Sequence, residues 1–442
     1  MKLPEFIKYK QSRKDFKQMI QDIANICAIP SISEEETASE YKFGENTHKA
    51  LTYALDLAKS FGFETYIAPN SAYGYAQIGK GDKMIGILAH LDVVPAGDES
   101  QWKTSAFEPV ITDKAIIARG SLDDKGPAII NLYAMKYIFD NNLLKKGWAI
   151  RIVFGLSEET NMKSMKQYLV DFGSPYISYT PDGEWPLIYA EKMVYHVELK
   201  FPKIPSLYIE GGEVVNQIPD LAIFKYEDKM MNIKGKGGHG STPHKGENAI
   251  IKTIKALAKV NPELNKHALF RFINKNLSKK DFALKNIFGD ISDFSGDLTA
   301  NLGMIRSNAN YHSLFFDLRV PVTNTLKGIT DQLNNYLANN FEGKVEMKLI
   351  GHKDSKYIDP KDNLVKILMQ TYREATNEDI KPLAIGGGTY ARLVDNCVAY
   401  GSTKYMHLMH GPNEYFTFKE IKSSLEIYIN ALFRLQSYKP KK

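Results

Sequence analysis

The chain has 442 residues, 43% hydrophobic and 24% charged, which is ample for a large core and too long for one typical domain. Its formal charge of +6 is a mild excess spread along the chain, with no concentrated basic stripe to grip nucleic acid. Two cysteines in the whole sequence exclude a disulfide framework and a cysteine-based structural zinc site.

Cys27 and Cys397 therefore read as buried, reduced thiols of a cytosolic protein. The start, Met1-Lys2-Leu3-Pro4-Glu5, lacks the apolar core of a signal peptide, and no apolar run is long enough to span a bilayer. The expected location is cytoplasmic, with no membrane partner. The Lys-rich end Lys439-Pro440-Lys441-Lys442 reads as a solvated terminus.

In chain order, Asp15 to Cys27 carries apolar residues at helical spacing, and Ser31 to Glu36 is a polar loop. Thr47 to Phe61 reads as a second helix, and Phe63 to Ile67 and Tyr73 to Ile78 as strands. The apolar run Met84 to Ala89 is short, so it predicts a strand buried on both faces. His90 stands at its carboxyl end, where open α/β sheets place their ligands. Alternation along the strand puts Asp92 on the same side as His90, and a carboxylate beside an imidazole fixes its tautomer.

Arg119-Gly-Ser-Leu-Asp123-Asp124-Lys-Gly-Pro127 leads into a helix, with Pro127 suited to the first turn. Trp148 to Gly155 is another buried strand, leaving through Leu156-Ser157-Glu158-Glu159-Thr160. The short strand Tyr176 to Thr180 leaves through Pro181-Asp182-Gly-Glu-Trp-Pro. Alternating strands and helices imply a mainly parallel sheet with right-handed crossovers, which gathers these exits along one edge.

The pattern changes near Leu187. From Val194 to Lys234 polar and apolar residues alternate as in antiparallel strands, followed by a Gly-rich turn around His239 and a helix from Asn248 to Val260. Leu314 to Val320 is a strand. After Lys353 the α/β character returns, with a helix from Asn363 to Ala375, a Gly-rich loop from Gly386 to Thr389, and an amphipathic last helix from Phe418 to Leu435. The expected fold is α/β. A catalytic domain with helices on both faces of its sheet is formed by residues 1–187 and 354–442, and an inserted α+β lid spans 188–353.

His90, Asp123, Glu158, Glu159, Asp182 and His410 are far apart in sequence, yet each ends a strand or sits on a loop. A mixed His and carboxylate set suits divalent metals, and there are about twice as many ligands as one open catalytic site needs. With two metals one carboxylate would bridge, and another must stay uncoordinated to act as base; the adjacent pair Glu158-Glu159 suits that division. Taken singly, each motif also has a bland reading. Ser157-Glu158-Glu159 and Asp123-Asp124 are acceptable helix caps, and Asp182 an ordinary turn residue.

Together these motifs, with His410-Gly-Pro-Asn-Glu414, resemble the di-zinc aminoacylase and carnosinase-type metallopeptidases. The Gly386-Gly-Gly-Thr389-Tyr loop and His410-Gly-Pro-Asn-Glu414 point to the bacterial peptidase V-like (Xaa-His) dipeptidases. The resemblance covers nearly the whole chain. It implies that His90 and Asp182 hold one metal, that Glu159 and His410 hold the other, and that Asp123 bridges them. It further implies that Asp92 orients His90, that Glu158 is the general base, and that His239 is a lid histidine binding the oxyanion. Asn216 and Arg319 match less distinctive substrate-binding positions, the bland readings being a turn residue and a surface-strand charge. Backbone N–H groups near Gly388 and Thr389 could receive a substrate carboxylate, or the loop could be only a tight turn. His407 does not match the motif and reads as a core or surface histidine.

The implied activity is hydrolysis of unblocked dipeptides by a metal-bridged water that Glu158 activates. The implied cofactors are two divalent ions, Zn²⁺ first, with Mn²⁺ or Co²⁺ as alternatives. An N-acyl amino acid deacylase or desuccinylase on the same scaffold is the rival reading, and a non-catalytic metal-loaded binding protein is another. The long lid favours a monomer, whereas dimeric relatives with shorter lids supply the lid histidine across an interface. Ser157 stands where many relatives carry an acidic residue, which leaves both glutamates in place.

Overall fold

The structure is a computed structural model that describes residues 3–10, 12–34, 40–277 and 282–440. Glu35 and Glu36 of the polar loop, and Met1, Lys2, Lys441 and Lys442 at the ends, lie outside those residues. The chain divides into two compact units. One comprises Met1–Tyr189, Ile358–Leu383 and Thr389–Lys442, and the other Ala190–Tyr357 with Ala384–Gly388.

The first unit is α/β, built on a mixed sheet. Its strands run in the order Glu64–Ile67, Gly74–Ile78, Trp148–Gly155, Lys83–His90, Ile177–Thr180 and Cys397–Ala399. The last four are mutually parallel, and the first two are antiparallel additions at the edge. The near-continuous apolar runs of the central strands follow from burial on both faces. Ile85, Ile87 and Ala89 pack against helices Arg13–Cys27, Lys125–Asp140 and Phe418–Leu435 on one face. Leu88 and Val153 turn the other way, into a smaller core with Tyr73, Tyr75 and Tyr168 of the helix Lys163–Phe172. The expected helices on both faces are therefore present, and Cys27 and Cys397 are buried thiols.

Local signals account for several element ends. Thr417 and Glu420 form a reciprocal capping box that starts Phe418–Leu435. Asn248 caps Ala249–Val260 by accepting from the N–H groups of Ile250 and Ile251. Asp124 stands at the cap position of Lys125–Asp140 but makes no side-chain capping bond. The helix expected right after Glu158-Glu159 begins later, at Lys163, so those glutamates lie in a turn rather than on a helix terminus.

The second unit is α+β. Its antiparallel sheet runs Lys229–Lys234, Leu221–Tyr226, Leu207–Gly211, Thr299–Ser307, Tyr311–Val320, Met193–Pro202 and Glu346–Lys353. In Met193–Pro202, Tyr195, Val197, Leu199 and Phe201 enter a core shared with helices Ala249–Val260, Ala268–Asn276 and Leu326–Phe341. The alternate residues His196, Glu198 and Lys200 face the opposite side, as the two-residue period requires. Ala268–Asn276 and Leu326–Phe341 were not read from the sequence, although Ile329, Leu333 and Leu337 recur every four residues and are buried. No helix among the described residues is long and apolar enough to cross a membrane.

Candidate active site

The parallel strands of the first unit deliver their exits to one place. His90 ends its strand in register with Gly155, and the N–H of Leu91 continues the pairing by donating to the Gly155 carbonyl at 2.9 Å. The main-chain N–H of His90 donates to Oδ2 of Asp124 at 3.1 Å, so that carboxylate anchors the strand end instead of capping the following helix.

The His90 ring is fully buried, and its two nitrogens are distinguished by their partners. Nδ1 lies 2.9 Å from the main-chain oxygen of Asp92. A carbonyl only accepts, so Nδ1 carries the hydrogen and Nε2 presents its lone pair in the neutral ring. Nε2 lies 3.0 Å from Asp123 Oδ1 and 3.8 Å from Asp182 Oδ2. On the far side of Asp123, Oδ2 lies 3.0 Å from Nε2 of His410, which is also 3.0 Å from Glu159 Oε1. Asp123 thus stands between two groups of donors, His90 with Asp182 and Glu159 with His410. In each group the ligand atoms fall within 4.8 Å of one another.

The orienting role expected of Asp92 takes a different form. Its carboxylate is 3.6 Å from His90 Nδ1, beyond hydrogen-bond range, and the carbonyl makes the contact instead. The carboxylate accepts from the N–H groups of Glu158 at 3.1 Å and Glu159 at 3.0 Å. A buried aspartate therefore holds the turn that carries both glutamates.

Electrostatics mark this cluster as cation-seeking. Burial and the nearby Asp123 charge push the Asp182 carboxyl well above its ordinary range, and burial with the same charge raises Glu159. Burial alone would raise Asp123 and lower His90 and His410. Their mutual contacts outweigh it, so Asp123 is held low and both imidazoles are held high. Crowded carboxylates that repel one another are what a bound divalent ion relieves. Nitrogen and oxygen ligands about 2.1 Å from one tetrahedral ion lie about 3.4 Å apart. The observed separations of 3.0 to 3.8 Å bracket that spacing. The donor set therefore fits a pair of hard or borderline divalent ions sharing one carboxylate.

The remaining sequence-predicted residues are placed as follows. Asn216, His239, Arg319 and Gly388 belong to the second unit. There the ribbon pairs Gln217 with His239, and the N–H of Gly240 donates to the Asn216 carbonyl at 2.7 Å. His239 is exposed, and its Nδ1 accepts from the N–H of Ser241 at 3.1 Å, so the neutral ring carries its hydrogen on Nε2. Arg319 is buried rather than a surface-strand charge. Its Nε and Nη2 grip both oxygens of Asp317 at 2.8 and 2.9 Å, and Nη1 donates to the Gly386 carbonyl at 2.7 Å. The bidentate face of the guanidinium is thus taken by Asp317, which also lies 3.2 Å from His196 Nε2. Thr389 caps the short helix Tyr390–Leu393 by accepting from the N–H of Ala391 at 3.1 Å. His407 lies exposed on the surface.

Sequence reasoning assigned no role to Asp124, Arg119 or Glu414, although all three lie within the quoted motifs. Each is buried and bonded to a segment that carries a candidate ligand. The available signal was an uncompensated charge inside a motif, which a cap or a solvated loop explains equally well.

Comparison with known proteins agrees with this geometry. The chain is 33% identical to a provisionally named dipeptidase of Staphylococcus aureus (strain USA300), over 95% of this chain and 97% of that one. Its fold is similar to that of the dipeptidase Dug1p from Saccharomyces cerevisiae, with 13% identity and a TM-score of 0.63, over 97% of this chain and 98% of that one. Human carnosine dipeptidase 1 gives 12% identity and a TM-score of 0.61, over 96% and 97% of the two chains. The sequence pattern of peptidase family M20/M25/M40 matches residues 86–434, which include every candidate ligand described above, and the chain accordingly belongs to that family of metallopeptidase hydrolases.

Proposed function

We propose that the protein is a dipeptidase that cleaves unblocked dipeptides, with Glu158 as the general base. The observation that carries this reading is the pair of donor groups sharing Asp123, beside a glutamate turn fixed by Asp92. The near-full-length similarity to a provisionally named dipeptidase supports the substrate class. His90 and Asp182 would hold one divalent ion and Glu159 and His410 the other, with Asp123 common to both. Bound there, the ions would polarise the scissile carbonyl and lower the pKa of water. Zinc is the first expectation, and the cytoplasm the proposed place of work.

Glu158 takes a proton from the attacking water as its oxygen bonds to the carbonyl carbon. The C–N bond then breaks, and Glu158 returns that proton to the leaving amine, so that the base is regenerated. His239 donates from Nε2 to the developing oxyanion. Asn216 and the backbone near Gly388 and Thr389 contact the substrate. Arg319 contributes at most the N–H groups not engaged by Asp317 and Gly386.

The test compares kcat/KM for a dipeptide, its N-acetyl and C-amide forms, and the matching tripeptide and tetrapeptide, with and without a chelator. The expected result is chelator-sensitive turnover of the free dipeptide, with weak cleavage of the others. An Xaa-His dipeptide belongs in the panel, since that branch carries the motif resemblance. Preference for the N-acetyl form would reassign the protein as a deacylase. Equal rates on the tetrapeptide would make it a broader exopeptidase.

A further inference from the structure

Asp123 and His410 come from segments 287 residues apart, and each needs its backbone fixed before its side chain can meet a common partner. Two buried, oppositely charged residues tie these segments together. Glu414 accepts from the main-chain N–H groups of Leu122 at 2.8 Å and Asp123 at 3.2 Å through one carboxylate oxygen. Its other oxygen accepts from Arg119 Nη1 at 2.8 Å. Arg119 in turn reaches the opposite loop, with Nη2 donating to the His410 carbonyl at 3.3 Å and Nη1 to the Gly411 carbonyl at 3.2 Å. Each residue therefore holds the backbone of the other's neighbouring ligand.

The surroundings make the clamp rigid. Arg119 and Glu414 are 1% and 0% exposed, so neither is softened by water. The guanidinium carbon lies 5.2 Å from the Trp102 ring centroid, and Nη2 also donates to the Pro95 carbonyl at 3.3 Å. His410 is the contrasting partner. Its side chain is 52% exposed and its backbone is left-handed at φ 60°, so local packing alone does little to fix it.

We propose that Arg119 and Glu414 are positioning residues for the metal centre, Arg119 holding the backbone of His410 and so the half formed with Glu159, and Glu414 holding the backbone of Asp123, which both halves share. The proposal rests on the two-ion reading above. His90 has its own supports, the Asp92 carbonyl and the Asp124 carboxylate. Loosening Arg119 thus displaces His410, whereas loosening Glu414 also shifts Asp123 and reaches both halves. Arg119→Lys keeps the positive charge but loses the planar fork that spans three carbonyls and a carboxylate. Glu414→Gln keeps an oxygen for the Leu122 and Asp123 amides but turns an NH₂ group toward Arg119.

The experiment is calorimetric titration of purified metal-free protein with Mn²⁺, for wild type, Arg119→Lys and Glu414→Gln. Circular dichroism and the melting temperature of each metal-free protein control for folding. Wild type should bind two ions. Arg119→Lys should bind one ion as wild type does and the other about 10- to 100-fold more weakly, the range seen when outer partners of metal ligands are removed, whereas Glu414→Gln should weaken both. Two wild-type affinities in a folded variant would overturn the positioning role, as would equal weakening of both ions in Arg119→Lys. Failure of both variants to fold would reassign the pair to fold stability. Wild-type protein that binds no Mn²⁺ would instead overturn the two-ion reading itself.

Discussion

Asp92 binds Glu159 through the backbone: one carboxylate oxygen accepts the Glu159 N–H at 3.0 Å, and the other accepts the Glu158 N–H at 3.1 Å. Both oxygens are used, both donors are main-chain, and the aspartate is fully buried. An asparagine of the same shape would keep one acceptor and present an NH₂ group to the second N–H, leaving a buried donor unsatisfied. Such a loss costs about 1–3 kcal/mol. Asp92→Asn should therefore lower kcat about 10- to 100-fold through a misplaced glutamate turn. Kinetics on protein of wild-type metal content check this. Wild-type kcat would show that the turn holds its shape without the carboxylate.

The two glutamates of that turn should separate in function. Glu159 lies 3.0 Å from His410, among the candidate ligands. Glu159→Ala should lose metal, whereas Glu158→Ala should keep it and lose at least about a hundredfold in kcat. Elemental analysis alongside steady-state kinetics distinguishes the cases. The reverse pattern would exchange the roles.

His239 offers a third test. With Nδ1 accepting from Ser241, the neutral ring donates only from Nε2. His239→Ala should depress kcat by about 10²–10³-fold, with metal stoichiometry unchanged, if that proton meets the oxyanion. Ser241→Pro removes the N–H that sets the tautomer and should have a smaller effect of the same sign. Unchanged turnover in His239→Ala would return this ribbon to a purely structural role.

The parts legible in sequence were those with short-range signals. The buried strand ending at His90 follows from an apolar run of a few residues, and the parallel sheet follows from strands alternating with helices. The motifs singled out the donor residues because each stands at a strand exit or loop. Contacts across long sequence separations were not legible. Nothing near Glu414 announces that its carboxylate meets amides at Leu122 and Asp123, and nothing near Arg319 announces that Asp317 already occupies its fork. The form of the Asp92 contact was missed for a related reason. Strand alternation places a side chain on a face but says nothing of whether carbonyl or carboxylate makes the bond.

The last prediction concerns stability of the second unit and needs no metal. His312 is fully buried on the strand Tyr311–Val320. Its Nε2 accepts from the N–H of Ile204 at 3.2 Å, so Nδ1 carries the hydrogen and faces Ser307 Oγ at 2.7 Å. Protonation would set an N–H against the Ile204 N–H at a fully buried position. Burial, helped by the charges of Lys203 and His267, lowers this imidazole from 6.5 to about 4. Between those values the unfolded chain binds the proton and the folded one does not, so stability rises with pH. The contribution should be complete above about pH 6.5 and lost progressively as pH falls toward 4. At 1.36 kcal/mol per decade the full effect is about 3 kcal/mol. Denaturant unfolding of the whole protein, followed by a probe in the second unit between pH 4 and 7, measures the slope. A His312→Asn variant, which can offer an acceptor to Ile204 but does not titrate, should show a shallower slope by that amount. An identical slope in wild type and variant would assign the acid sensitivity to other groups.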